Sequence, residues 1–243
     1  MAVEIDAGPR PEWGVAEHCP ACEGVVSDAA YIRDRYGWAW PLASCRHCGV
    51  KYQACPITDA ARRDFYGRGR YRQLCAQVTG QPWDEPEFLR HEQCEYGYLW
   101  HTFVTLHGRV LDYGGSTGEV SAILAADADT IIVADYGDGA AITPEQALAV
   151  PKATYDAILC CQTLDHLREP LQTLRQFLRV ATPGARLFVD VVKLAHTQFK
   201  LDHDTYYPTA TSFLGLVERS GWTPLWLDAE THPSHYSVLA VAP

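Results

Sequence analysis

Apolar and polar positions divide the chain into two kinds of pattern. From residue 109 onward, short apolar runs recur: Arg109 to Tyr113, Thr130 to Ala134, Tyr155 to Cys161 and Arg186 to Val192. Runs of this length without polar alternation read as strands buried on both faces. Between them apolar residues return at helical spacing. Gly118 to Ala125 does so behind a glycine-rich turn, and Leu167 to Val180 places Leu171, Leu174, Phe177 and Leu178 on one face. Pro183-Gly184 stops that helix, and a further helix from about Thr209 to Arg219 stops at Ser220-Gly221. Two last strands fall near Pro224 to Leu227 and Tyr236 to Val241. Strands alternating with helices predict an α/β fold with a mostly parallel sheet covered on both faces.

Ahead of residue 109 the pattern is different. Cys19, Cys22, Cys45, Cys48, Cys55, Cys75 and Cys94 all lie there, leaving only Cys160 and Cys161 for the rest. Nine cysteines are an odd number, and the start Met-Ala-Val-Glu-Ile-Asp lacks the basic and apolar regions of a secretory signal. Both points predict a reduced, cytoplasmic protein. Cys19-Pro-Ala-Cys22 and Cys45-Arg-His-Cys48-Gly49 form two C-x2-C pairs, and Tyr31, Trp38 and Trp40 stand in strand-like sequence between them. Four thiolates at this spacing close a tetrahedral sphere around one zinc ion, which makes the site structural. A redox C-x-x-C opens a helix in a βαβ setting, and neither pair does. The other five cysteines read as small buried hydrophobes.

Composition adds exclusions. The chain has 243 residues, 47% of them hydrophobic, with 30 acidic against 20 basic side chains. The net charge of −10 repels phosphate backbones and argues against a nucleic-acid partner. No apolar run reaches the length of a membrane span. One local exception is the group Arg62, Arg63, Arg68, Arg70 and Arg72, interleaved with Phe65, Tyr66 and Tyr71. It reads either as a solvated helix face or as a site for an anionic acceptor, with Arg68 and Arg70 as the candidate anion ligands.

Val110-Leu111-Asp112-Tyr113-Gly114-Gly115-Ser116-Thr117-Gly118-Glu119 carries the most chemistry. An acid closes a strand, and a Gly-Gly-x-x-Gly turn then enters a helix, where free N–H groups point at a ligand. Asp112 directly before the glycines suits an ammonium or sulfonium better than a diphosphate. Asp135, at the end of the second apolar run, is placed to accept from two ribose hydroxyls.

On these residues the sequence resembles the class I S-adenosylmethionine-dependent methyltransferases. Tyr155 to Pro170 is similar to the family's fourth-strand segment, and Ala181 to Val189 to its turn into strand five. The ribbon followed by Asp64-Phe65-Tyr66 and Arg70-Tyr71 resembles a subfamily bearing a zinc ribbon, frequent among bacterial enzymes that act on sugars and specialised metabolites. The resemblance implies a Rossmann-like sheet with a terminal antiparallel hairpin, preceded by a small zinc-ribbon module. The division it suggests is a tail over 1–15, the ribbon over 16–56, a connecting helical segment over 57–84 and the methyltransferase domain over 85–243. It implies S-adenosylmethionine held by Asp112, Tyr113, Gly114, Gly115, Gly118, Asp135 and Gln162. Only 19 residues separate Asp135 from Tyr155, too few for the family's usual helix, strand and helix. The sheet is therefore expected to be shortened between strands two and four, with Ala140–Thr143 as a minimal third strand. The adenine pocket would then be open or covered by another element, such as the ribbon.

The acceptor expected is a small anionic metabolite or sugar, methylated on O, N or C. His203 and His166 are candidate bases for its proton, each with a structural role equally open to it, and Tyr206 and Tyr207 are candidate acceptor contacts. Two other readings stand beside this one. One is an RNA methyltransferase gripping its substrate with the ribbon; the other is a non-catalytic cofactor-binding scaffold.

Overall fold

A computed structural model describes residues 16–25, 29–34, 37–67, 69–137, 140–193 and 206–243. Each apolar run of the rear part becomes a strand of one six-stranded sheet. At its centre β4 (Arg109–Tyr113) pairs in parallel with β5 (Thr130–Ala134) on one side and β6 (Tyr155–Cys161) on the other. Outside β6 lies parallel β7 (Ala181–Val192). The antiparallel hairpin of β9 (Thr223–Asp228) and β10 (His235–Val241) completes the expected edge.

Both faces are covered, which is why the central strands carry no polar alternation. On one face Leu111, Ile158, Leu187 and Val238 pack against Leu171, Leu174 and Phe177 of α6 (Pro170–Val180) and Phe213 and Leu216 of α7 (Ala210–Arg219). The other face sets Val110, Leu159, Phe188 and Leu239 against Trp100 of α3 (Pro86–Trp100) and Val120 and Leu124 of α4 (Glu119–Leu124). The parallel strands end together, so Asp112, Ala134, Cys161 and Asp190 stand near one edge of the sheet.

The stretch after β5 is as short as the spacing predicts. Its third strand is reduced to one parallel bridge between Ala134 and Ile142. A single five-residue helix follows, α5 (Pro144–Leu148), held at its start by a reciprocal Thr143–Gln146 capping box. The cover over this gap differs from the ribbon named as a candidate: it is the connecting segment. Helix α1 (Asp59–Gly67) lies so close that a Cβ on Gly67 would come within 3.3 Å of the Tyr136 carbonyl, and Arg63 reaches Glu145 at 3.0 Å.

The cysteine-rich part forms a second sheet in the order β1-β2-β3-β8. Its hairpin, β1 (Ala29–Arg33) and β2 (Ala39–Ser44), turns around Asp34, which accepts from the Trp38 N–H at 2.9 Å and from Trp40 Nε1 at 2.7 Å. Next to β3 (Lys51–Gln53) the fourth strand comes from far along the chain: β8 (Tyr206–Tyr207). Both tyrosines are fully buried there. The two sheets are therefore interleaved along the chain, and the ribbon takes a strand from beyond residue 85. Among the described residues no helix is long and apolar enough to cross a membrane.

Leu174 is fully buried between α6 and the sheet, whereas Leu178 on the same helix is only partly covered. Leu174→Ala is expected to lower stability by about 2–5 kcal/mol in denaturant unfolding, and Leu178→Ala by less.

Candidate functional site

The four cysteines of the ribbon converge. Their sulfurs all lie within 4.8 Å of one another, with Cys19 to Cys48 at 3.7 Å and Cys22 to Cys45 at 3.6 Å. A zinc–thiolate bond of about 2.3 Å sets the edge of a sulfur tetrahedron at about 3.8 Å, so the donor set fits one zinc ion. Each pair sits on a tight turn, closed by Glu23 N donating to the Cys19 carbonyl and Gly49 N to the Cys45 carbonyl. Gly49 has φ +75°, the left-handed conformation that glycine adopts freely. The hydrogen bond between Cys48 and Cys19 pushes the Cys48 thiol below its usual range and, together with burial, pushes the Cys19 thiol above it. The cluster docks on the large sheet's helices, through Arg219 donating to the Ala21 carbonyl and Arg175 paired with Glu23 at 2.9 Å.

The second centre lies at the carboxyl edge of the large sheet. Asp112 is 2% exposed and its Oδ2 has no hydrogen-bond partner among the described residues. Burial pushes its pKa up to about 7; Asp135 and Glu119 add to the rise, and a hydrogen bond from Ser121 opposes it. A Cβ on Gly115 would fall 2.2 Å from the Asp112 carboxyl, and one on Gly114 would fall 2.2 Å from Thr163 Oγ1. The turn can therefore pass over the carboxyl only as bare backbone. Where it meets β5, Asp135 is fixed by two backbone donors, Ser116 N to Oδ2 and Gly137 N to Oδ1, each at 2.9 Å. Gly118 closes the turn at φ +86° and starts α4.

The structure brings Asp112, Gly114, Gly115, Gly118 and Asp135 together, as the sequence suggests. Gln162, at φ +48°, leaves β6 at the same edge, its N–H donating to the Asp190 carbonyl at 3.1 Å. Tyr113 points away from the turn, its ring packed on Phe177 of α6 at 4.9 Å. His166 ends a 3-10 turn, Leu164–His166, just past β6. Its Nδ1 meets the Tyr66 hydroxyl at 3.2 Å, and the two rings stack at 5.8 Å and 9°. Tyr71 closes on the same imidazole from α2 (Arg70–Thr79), with ring centroids 6.4 Å apart.

The arginine group separates into distinct roles. The Arg70 guanidinium lies over Trp38 at 5.7 Å and Phe65 at 5.9 Å, joining ribbon to helices. Arg62, named in the group but not as one of its two candidate anion ligands, is 5% exposed; its Nη1 meets Asp59 at 3.0 Å while Nε and Nη2 have no partner among the described residues. Arg72 reaches across to the glycine turn and donates to Ser116 Oγ at 2.7 Å. Tyr206 and Tyr207 are fully buried in β8, the edge strand of the ribbon sheet, which packs beside the 3-10 turn that carries His166. Arg68 and His203 lie outside the described residues.

A family model described as a methyltransferase domain matches residues 88–242. The 1,6-didemethyltoxoflavin-N1-methyltransferase of Burkholderia thailandensis, solved with 1,6-didemethyltoxoflavin and S-adenosylhomocysteine bound, aligns over 89% of this chain and 99% of its own at 12% identity, with a TM-score of 0.53. The complex of the Haloferax volcanii Trm112 methyltransferase activator and a methyltransferase aligns over 63% of this chain and 91% of its own at 13% identity, with a TM-score of 0.50. These likenesses are of fold. No curated protein matches the chain.

Metal analysis of the purified protein is expected to give one zinc per chain. Cys45→Ser should lose the metal and with it the ordered signal of Trp38 and Trp40 in near-ultraviolet circular dichroism, as should removal of zinc by a chelator.

Proposed function

The chain belongs to the methyltransferase domain family, and from that premise we propose that it transfers the methyl group of S-adenosylmethionine to a nucleophile on a small anionic acceptor. One observation carries this reading: a buried, incompletely paired carboxyl, a glycine turn that excludes side chains, and a backbone-fixed Asp135 at the ends of adjacent strands. When bound, S-adenosylmethionine supplies a methyl group on a positively charged sulfur. Asp112 offers its open Oδ2 to the cofactor's ammonium, and Asp135 accepts from the two ribose hydroxyls with oxygens already aimed by Ser116 and Gly137. The glycine turn lets the backbone lie against the ligand. The binding of S-adenosylhomocysteine and a small molecule by the Burkholderia relative supports the same pairing of ligands here.

On the acceptor side, His166 takes the proton that a hydroxyl or amine loses as it attacks. Tyr66 stacks on this imidazole and meets its Nδ1, and the buried Asp165 carboxyl lies 4.0 Å from its Nε2, so the ring is held in one orientation beside the carboxyl edge. Arg62 supports an anionic acceptor, because a buried guanidinium with two unpaired nitrogens is costly until an anion completes it. Alignment by these groups does most of the catalytic work in a displacement of this kind.

Incubation with methyl-labelled S-adenosylmethionine and a panel of small phosphorylated or carboxylated acceptors is expected to move label to one of them. No transfer together with no cofactor binding in calorimetry would remove the reading. The cofactor affinity should also follow the state of Asp112. Its carboxyl is protonated below about 7 and then offers no charge to an ammonium, so S-adenosylhomocysteine binding should weaken roughly tenfold per pH unit as the pH falls below about 7. Asp112→Asn should bind weakly and without that dependence.

A further inference from the structure

Arg72 has no role yet in the site, and it lies outside the residues 88–242 that the family model matches. Among the described residues its one hydrogen bond goes to Ser116 Oγ at 2.7 Å, in the middle of the glycine turn. Ser116 holds φ +53°, a conformation that disfavours every residue with a Cβ. Glycine would fit there without strain. A serine at that position keeps a hydroxyl, and the hydroxyl is spent on holding Arg72. Among the described residues no carboxylate pairs with this guanidinium, although a long side chain loses much rotamer freedom when fixed. A guanidinium has five N–H donors in a rigid fork, and the bond to Ser116 uses one of them.

Three acids stand at the turn it reaches. Asp112, Asp135 and Glu119 surround the turn and act on one another as like charges. S-adenosylmethionine carries both an ammonium and a carboxylate at its amino-acid end. Three acids answer the ammonium and repel the carboxylate, so a ligand of this kind needs a cation beside the turn. We infer that Arg72 is that cation: it binds the cofactor's carboxylate through its free fork, in the bidentate geometry that matches guanidinium to carboxylate. The inference rests on the cofactor assignment made above and extends it, since the connecting segment then completes a site whose other half lies in the matched domain. Arg70, two residues earlier on the same helix, stacks on Trp38 of the ribbon. Ribbon and cofactor are thus held by successive arginines of one helix turn.

Calorimetry with two ligands tests this without any acceptor. S-adenosylhomocysteine has both charges, and its decarboxylated form, an aminopropyl thioether, keeps only the ammonium. Arg72→Gln is expected to weaken S-adenosylhomocysteine roughly 10- to 100-fold and to leave the decarboxylated ligand within about twofold. Equal weakening of both ligands would mean that Arg72 only braces the turn, and no weakening of either would mean that it does not reach the ligand; both overturn the inference and leave the cofactor assignment standing. Failure of the unaltered protein to bind S-adenosylhomocysteine would overturn the cofactor assignment itself. Should Arg72→Gln not fold by thermal unfolding, Arg72→Lys, which keeps the charge without the fork, should show the same selective loss in smaller measure, and its absence would count equally against the inference.

Discussion

A carboxyl buried in the central strand of a sheet, with one oxygen unpartnered, is among the most costly groups a fold can carry. Asp112 is such a group, and most of the architecture around it follows from that. The turn above it has to be glycine at 115 because any side chain would strike the carboxyl. Only after such a turn can the chain enter α4 with its N–H groups directed at the same space. β5 must then run in parallel beside β4, so that Asp135 arrives level with the turn and is fixed by it. A second acid this close makes Asp112 still harder to ionise. The arrangement is poor for an empty protein and good for one that holds a cation.

That cost also explains why the connecting segment is built as it is. The shortened stretch after β5 leaves one side of the carboxyl edge without its usual helix, and water there would weaken every charge interaction at the turn. Helix α1 covers the gap through Gly67 against Tyr136 and Arg63 against Glu145. Helix α2 covers the turn itself through Arg72. Neither helix is long or strongly apolar, so neither is stable alone. They are held by the ribbon, through Arg70 on Trp38, and by Tyr66 stacked on His166 with Tyr71 edge-on to the same ring.

The parts legible in the sequence are those whose chemistry is local. Two C-x2-C pairs specify a metal site by spacing, a glycine turn behind an acid specifies its own backbone, and a 19-residue interval has no room for two helices. What was not legible depends on helix phase and on remote pairing. Gly69, at φ +68°, breaks the chain between α1 and α2 and resets the phase. No periodicity across that break distinguishes Arg62, which turns inward, from Arg70, which stacks, or from Arg72, which reaches the turn. Strand β8 is two residues long and pairs only with the edge that β3 offers, so the sequence around Tyr206 and Tyr207 reads as loop where the structure has a buried strand. Ser116 gave no signal either, because its left-handed backbone shows only in three dimensions.

The position of β8 bears on how the ribbon and the large sheet act as one unit. A module of about forty residues has too small a core to be stable by packing alone, and a metal usually supplies the rest. Here the ribbon also takes a strand from the segment that follows β7, and its cysteine turns are gripped by Arg219 and Arg175 from α7 and α6. Loss of the metal would therefore release more than the ribbon. It would free the edge on which β8 pairs and the Trp38 surface on which Arg70 rests, and with them the helix that carries Arg72. The cysteine cluster and the glycine turn, far apart in sequence, are thus joined by one mechanical path, through a single helix turn.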